Sequence, residues 1–349
     1  MPPADLGGVG TARAEAVGRI EGMNHVSWFR LPWKFILKRT LHSFSRDAVT
    51  DLAAGLTYFG VLSLFPAMIA LVSILGLIGQ SKSGIDALFG IVEELAPGAL
   101  DAVKGPIENL AASPASGWAL AIGIVGAIWS ASGYVGGFGR ALNRIYGVRE
   151  GRTVFSLRPV QLGVTIAALL LIALVAVLLV LSGPVATAIG GALHVGETVQ
   201  VLWSVLKWPV LIVALVLLVA LLYYATPNVR QTKFRWLTTG SFAAIVLLGI
   251  ASALFAFYVA NFGSYDKTYG SLAGVIVFLL WIWIANVVLL LGAELDSEIE
   301  RARQLVSGIE ADSALRLPLK SNKAILKLQD ADAADILASR EVRRRYRDR

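Results

Sequence analysis

Hydrophobic residues along this chain fall into long runs, separated at wide intervals by polar segments. Six runs contain no Asp, Glu, Lys or Arg and lie near 52–79, 116–138, 159–182, 208–226, 237–260 and 271–293. Each reaches the roughly 20 residues that a helix needs to cross the hydrocarbon core of a bilayer. The pattern predicts an all-α polytopic integral membrane protein with a bundle of six transmembrane helices.

Composition supports this prediction. Of the 349 residues, 56% are hydrophobic and 16% are charged, whereas soluble chains are about half apolar and a quarter charged. The absence of cysteine excludes disulfides and thiol chemistry. The first 23 residues contain no apolar core, so we expect no cleavable signal peptide.

The cationic residues are distributed unevenly between the two sides of the predicted bundle. All but four of the 31 lysines and arginines fall on the side that holds both termini, and the exceptions are Lys82, Lys104, Lys207 and Lys267. Short loops rich in Lys and Arg stay in the cytoplasm. Both termini are therefore predicted to be cytoplasmic.

Three regions follow from these patterns. Residues 1–23 form a flexible N-terminal tail, 24–300 the transmembrane domain, and 301–349 a basic cytoplasmic tail. The stretch 24–44 mixes aromatic and basic residues, which is typical of a helix lying along an anionic leaflet. For the basic C-terminal tail, a solvated segment or one that contacts anionic lipid headgroups is favoured, and no nucleic-acid partner is expected.

Small and hydroxyl residues repeat at helical spacing in the first two predicted spans. Such repeats let helices approach closely in lipid, so these two spans are predicted to pack tightly together in the interior of the bundle. The residues are Ala53, Thr57, Gly60, Ser63, Ala67 and Ala70, then Ala119, Gly123, Gly126, Ser130, Gly133 and Gly137.

Pro66 lies near the middle of the first span and removes a donor from the carbonyl of Leu62. A hydroxyl such as that of Ser63, or a neighbouring helix, can pair this carbonyl. The break has two interpretations. It shapes packing only, or it forms a hinge or cavity wall, as in the broken helices of transporters.

Motifs for enzymatic chemistry are missing from the chain. The three histidines are isolated, and there is no HExxH motif, phosphate-binding glycine loop or carboxylate cluster. We therefore expect that the protein is not an enzyme and that it has no catalytic residue, cofactor or metal site. The predicted spans lack ionisable residues, which argues against carboxylate-coupled proton or cation transport but leaves lipid transport open.

Polar residues that lie near Pro66 and at the ends of the helices are the candidates for a crevice or hinge. Each also has an ordinary explanation, as an interfacial aromatic, an orientation signal or a helix–helix hydrogen bond. The candidates are Tyr58, Ser63, Pro66, Ser130, Asn143, Arg144, Tyr269, Ser271, Asn286 and Glu294.

Several motifs occur in a characteristic order: "DLAAGLTYFGVLSLFPAMIALVSILGLIG", "ALNRIYGV", "YATPNV", "YGSLAGVIVFLLWIW" and "LLLGAEL". From about residue 30 to 300 the chain resembles the YihY/BrkB family, formerly labelled ribonuclease BN-like. The resemblance implies a six-helix bacterial inner-membrane protein of poorly established function. The family motifs fall at Tyr58, Ser63, Pro66, Trp129, Asn143, Tyr269, Gly270, Ser271, Trp281, Gly292 and Glu294.

Two functions from different classes remain. The leading hypothesis is passive or gradient-driven translocation of an amphipathic or anionic molecule, with lipid as the main example. The rival is a scaffold that organises envelope or virulence components without transport. Ribonuclease activity is disfavoured, because no residue pattern here would activate water. Substrate, energy coupling, oligomeric state and the function of the tail are left open by the sequence.

Overall fold

The computed structural model describes residues 31–78, 116–180, 197–230, 238–261 and 272–347. In the first of these ranges, the described side chains end at Leu64.

The described residues form helices and no extended strand, apart from a single antiparallel bridge between Val229 and Leu319. The helices are α1 (Trp33–Arg46), α2 (Val49–Ile78), α3 (Ser116–Ile145), α4 (Val154–Val180), α5 (Glu197–Ala225), α6 (Thr239–Asn261), α7 (Leu272–Val306) and α8 (Lys323–Arg347).

Five helices are long and apolar enough to cross a membrane, which confirms the prediction of an all-helical membrane protein in the described ranges. They lie in α3 to α7, and α2 contributes a shorter apolar segment, Val49–Leu64. The prediction of a sixth span rests on α2, which continues through Pro66 to Ile78. The cytoplasmic location of the termini stays a prediction.

Helices α2 and α3 pack against each other, which confirms that the first two predicted spans are neighbours. At this contact, the small residues of α3 do not pack only against small residues of α2. The ring of Phe59 covers Gly133 and Gly137, so that a Cβ added at either glycine would lie 3.1 or 3.3 Å from a ring atom. The glycines therefore make room for an aromatic side chain.

Helix α7 has 35 residues and is thus about 52 Å long at ~1.5 Å per residue. This length exceeds the roughly 30 Å of a hydrocarbon core, so the charged turns after Leu291 extend beyond it. Helix α1 packs on these turns, where Ile36 lies in one buried hydrophobic cluster with Ile299 and Ala302.

Residues 307–322 fold back onto the bundle after α7 ends. The backbone N–H of Arg230 donates to the carbonyl of Pro318 at 2.8 Å, next to the Val229–Leu319 bridge. The first part of the predicted 301–349 tail is therefore packed against the bundle. The following helix, α8, has no buried residue.

Candidate functional site

Most polar contacts between elements lie at one end of the bundle, which we call the charged end. It is formed by α1, residues 140–153, residues 224–230 and residues 294–322, with Asn143, Asn228 and Glu298 buried among them. This end carries the short basic loops that predict a cytoplasmic location.

Two asparagines join three separate segments at the charged end. The Oδ1 of Asn143 accepts the backbone N–H of Asn228 at 2.7 Å, and its Nδ2 donates to Glu150 at 3.1 Å. Asn228 is fully buried and donates through Nδ2 to the carbonyls of Arg149 and Ser321. Asn143, predicted as a crevice residue, is thus part of a buried network.

The carbonyls at the C-terminal end of α5 and just after it are bound by two cationic side chains. Arg152 donates to the carbonyl of Thr226 at 2.6 Å, and Lys320 donates to that of Tyr224 at 2.7 Å. Cations at a helix C-terminus interact favourably with its unpaired carbonyls and dipole. Desolvation at this position lowers the pKa of Lys320 to about 8.

Arg152 also forms a two-pronged ion pair with Glu150, through Nε and Nη2 at 2.8 Å each. Burial alone would raise the pKa of Glu150, but the hydrogen bonds from Arg152 outweigh burial and lower it. These contacts fix the loop between α3 and α4.

Arg140 and Arg144 have a different environment. They are one helical turn apart on α3, both side chains are exposed, and neither has an ion-pair partner among the described residues. The guanidinium of Arg140 lies over the ring of Phe59, 5.9 Å from its centroid. On its other side is Gln161 of α4, because both side chains approach Gly136. Arg140 therefore lies in a groove between α2 and α4.

Asn286 connects the middle of α7 to two other helices. Its Oδ1 accepts the hydroxyl of Tyr134 at 2.8 Å, and its Nδ2 donates to Thr57 at 3.2 Å. Asn286 is only 2% exposed. Asn286, a candidate crevice residue, thus forms hydrogen bonds between helices, which is the ordinary explanation given for it from the sequence.

Glu298 accepts three hydrogen bonds at the joint between α1 and α7. The donors are Arg39 at 2.8 Å, Ser43 at 2.9 Å and Arg301 at 3.1 Å. One turn earlier, Glu294 is fully buried and neither of its oxygens has a hydrogen-bond donor. The Asp47 carboxyl lies within hydrogen-bonding reach of Glu294.

The remaining predicted site residues are dispersed. Tyr58 is 64% exposed, and Ser63 donates to the carbonyl of Gly60 at 2.6 Å, not to that of Leu62. Ser130 is half-buried. Pro66 lies within the uninterrupted helix α2. Tyr269 and Ser271 lie outside the described residues.

Several residues of the charged end were missed as candidates from the sequence. Asp47, Asn228 and Glu298 have partners more than 80 residues away. The motif "YATPNV" contains Asn228, and it was the one available signal for this residue. In the described part of the chain, no group of three or more His, Cys, Asp or Glu is arranged to hold a metal ion.

Relatives of known sequence occur in several bacteria, and most of those compared are named as membrane proteins. A protein of Bacillus subtilis named YfkH, described as ribonuclease-like, is 28% identical over 77% of this chain and 96% of its own length. A UPF0761 membrane protein of Alkalilimnicola ehrlichii is 28% identical over 89% of this chain and 69% of its own. No solved structure matches this one.

The family model described as virulence factor BrkB matches residues 40–314. This range begins within α1, includes every apolar helix and ends in the segment that folds back onto the bundle. The membrane helices and most of the charged end are thus covered by one family model, and this chain belongs to the virulence factor BrkB family of membrane proteins.

Proposed function

We propose that this protein moves an anionic amphipathic molecule, most simply a phospholipid, across a bacterial inner membrane, with both of its termini in the cytoplasm. The observation that carries the proposal is the pair of exposed arginines on α3, Arg140 and Arg144. Each lacks a carboxylate partner among the described residues. An anion supplied from outside the chain would fill that role.

The depth of Arg140 supports this assignment. It precedes the end of α3 at Ile145 by five residues, which is about 7.5 Å along the helix axis. Cationic side chains in a membrane helix are costly unless they are paired or reach the interface. A headgroup phosphate at the interface would pair with the guanidinium.

The groove around Arg140 has the chemistry of a headgroup site. Arginine binds phosphate through two parallel hydrogen bonds, and Gln161 on the other wall adds an amide that can donate as well. The ring of Phe59 and the exposed apolar side chains of α3 and α4 leave a surface suited to acyl chains. The groove thus combines an anion site with an apolar surface.

The proposal is tested by lipid flip in liposomes. Purified full-length protein is reconstituted with fluorescently labelled anionic phospholipid, and the accessible label is followed with a membrane-impermeant quencher. We expect faster flip than in empty liposomes. The double variant Arg140→Gln/Arg144→Gln should reduce the rate about tenfold or more, because each lost charged hydrogen bond is worth about 1.5–3 kcal/mol.

The matched control is Arg343→Gln/Arg344→Gln, which removes two exposed positive charges from α8. It should flip lipid at the wild-type rate. No acceleration over empty liposomes with any of several anionic lipids would contradict translocation. An equal loss in both double variants would contradict the assignment of the groove.

One observation favours the rival scaffold function. Helix α8 has 25 residues, none of them buried, and a helix of this kind can bind a partner through its free faces. If α8 serves a scaffold, deleting 323–349 would abolish function in cells without affecting lipid flip in liposomes. If the protein acts by translocation, the same deletion leaves both intact.

A further inference from the structure

Glu294 differs from every other buried polar side chain in the described part of the chain. Its oxygens are the only buried side-chain oxygens or nitrogens there that lack a hydrogen-bond partner, and its exposed fraction is 0%. A buried ionised carboxylate without a donor is strongly unfavourable. The residue lies one position beyond the predicted 271–293 span, at the start of the charged end.

The register of α1 against α7 places Asp47 opposite Glu294. The two helices run antiparallel, because Ile36 lies in one buried cluster with Ile299 and Ala302, whereas Ser43 bonds to Glu298. The next pair in this register is Asp47 and Glu294. Asp47 follows Ser43 by four residues, and Glu294 precedes Glu298 by one helical turn. The two carboxyl groups are within hydrogen-bonding reach of each other.

Two carboxyl groups in contact away from water cannot both be ionised at modest cost, and one proton is held between them. Asp47 is the member that carries the negative charge, because Arg46 donates to both of its oxygens, at 3.2 and 3.0 Å. The proton then resides on Glu294, whose O–H donates to Asp47. This arrangement supplies the hydrogen bond that an ionised Glu294 lacks.

A proton fits this place better than a metal cation. Only two carboxyl groups meet here, and Arg46 already occupies the oxygens of one of them. Calcium and magnesium are bound by six or more oxygen ligands, and no larger cluster of potential ligands exists in the described residues. The positive charge of Arg46 also opposes a second cation.

We propose that Glu294 and Asp47 form a proton-binding site that joins α1 to α7 at the charged end of the bundle. The other charged or titratable groups facing Glu294 are Arg46, Glu298 one turn along α7, and Tyr146 after α3. Asp296 points to α6 instead, where it accepts the N–H of Gly240 at 2.7 Å.

Loss of the proton would place two like charges in contact at this joint. The neighbouring Glu298 would still be held by Arg39, Ser43 and Arg301, so the expected opening is local to Asp47 and Glu294. The site would make the contact between α1 and α7 depend on pH. This inference goes beyond lipid translocation and does not rest on it.

The test is infrared difference spectroscopy on the full-length protein in nanodiscs, titrated from about pH 5 to about pH 11, which passes beyond the pKa of about 8–9 documented for buried glutamates. A protonated carboxyl gives a C=O stretch that an ionised one lacks. We expect one such band to be present at neutral pH and to be lost on titration. Glu294→Gln should remove it, whereas Glu310→Gln, at an exposed glutamate, should leave it unchanged.

Asp47→Asn provides a second variant should Glu294→Gln fail to fold. An amide at position 47 can donate to Glu294, which should then ionise, so the band should be lost here too. A band that persists in either folded variant would overturn the proposal, as would its absence from the wild-type protein. Loss of the wild-type band on adding Mg²⁺ or Na⁺ at constant pH would overturn it in favour of a cation site.

Discussion

At the scale of single residues, Asn228 holds the charged end together through one buried side chain. It donates to the carbonyls of Arg149 and Ser321 at 3.0 and 2.9 Å and accepts the N–H of Ser321 at 3.1 Å. Its backbone N–H adds the bond to Asn143. Three segments that are distant in sequence therefore depend on this position.

Replacing the side chain by Asn228→Ala should lower the free energy of unfolding by at least about 2 kcal/mol, because it leaves buried backbone groups unpaired. Thermal unfolding of the purified protein in detergent measures the loss. The control Asn261→Ala removes an exposed amide that bonds only within its own helix and should cost no more than about 0.5 kcal/mol. Equal losses would contradict the role given to Asn228.

At the scale of helices, α6 and α7 cross at two glycines. A Cβ added at Gly240 would collide with the carbonyl of Gly292, and one added at Gly292 would lie 2.6 Å from both the Ala244 Cβ and the Gly240 carbonyl. Close approach of this kind is the usual way in which membrane helices gain packing contacts. The same crossing brings Asp296 to the N-terminus of α6.

Gly240→Ala should therefore push the two helices apart and destabilise the protein by about 1–3 kcal/mol. Gly249→Ala on the same helix is the matched control, since a Cβ there meets no atom within 4 Å. It should be neutral or stabilising by up to about 1 kcal/mol, because alanine favours helix. Unfolding curves of both variants measured side by side decide the point, and a Gly240→Ala protein as stable as wild type would count against the close crossing.

At the scale of the whole molecule, the charged end is completed by residues far along the chain. Gln304 is fully buried and pairs with the backbone of Arg316, at 3.0 and 3.2 Å, and Arg301 donates to the carbonyl of Ala311 at 2.6 Å. The segment 307–322 thus covers polar groups of α7. Helix α8 covers none.

Truncation separates these two parts of the C-terminal region. Deleting 327–349 should leave the melting temperature in detergent unchanged, because no buried residue is removed and the bond from the N–H of Ala324 to the carbonyl of Gly151 is kept. Deleting 307–349 should lower it clearly, because Asn228, Arg301 and Gln304 each lose a partner in the deleted segment, and each unpaired buried group costs about 1–3 kcal/mol. Equal melting temperatures for the two truncations would show that the 307–322 segment does not stabilise the bundle.

Properties that depend on neighbouring residues in the sequence could be predicted from it, whereas contacts between distant residues could not. The apolar runs of α3 to α7 and the packing of α2 on α3 were predicted from short windows, because helix length and the spacing of small residues are local properties. The role of Asn143 could not be predicted in this way, since its partner Asn228 lies 85 residues away. Pairs of this kind depend on the register between helices.

The sequence by itself determined that this is a helical membrane protein of the BrkB family, because hydrophobic length and ordered motifs are written along the chain. Only the tertiary structure decided how each polar residue is used. It buried Asn143 and Asn286 in hydrogen-bond networks, left Arg140 without an ion-pair partner among the described residues, and placed Glu294 against Asp47. The physical reason is that charge and hydrogen-bonding capacity belong to a residue, whereas desolvation and partners belong to the fold around it.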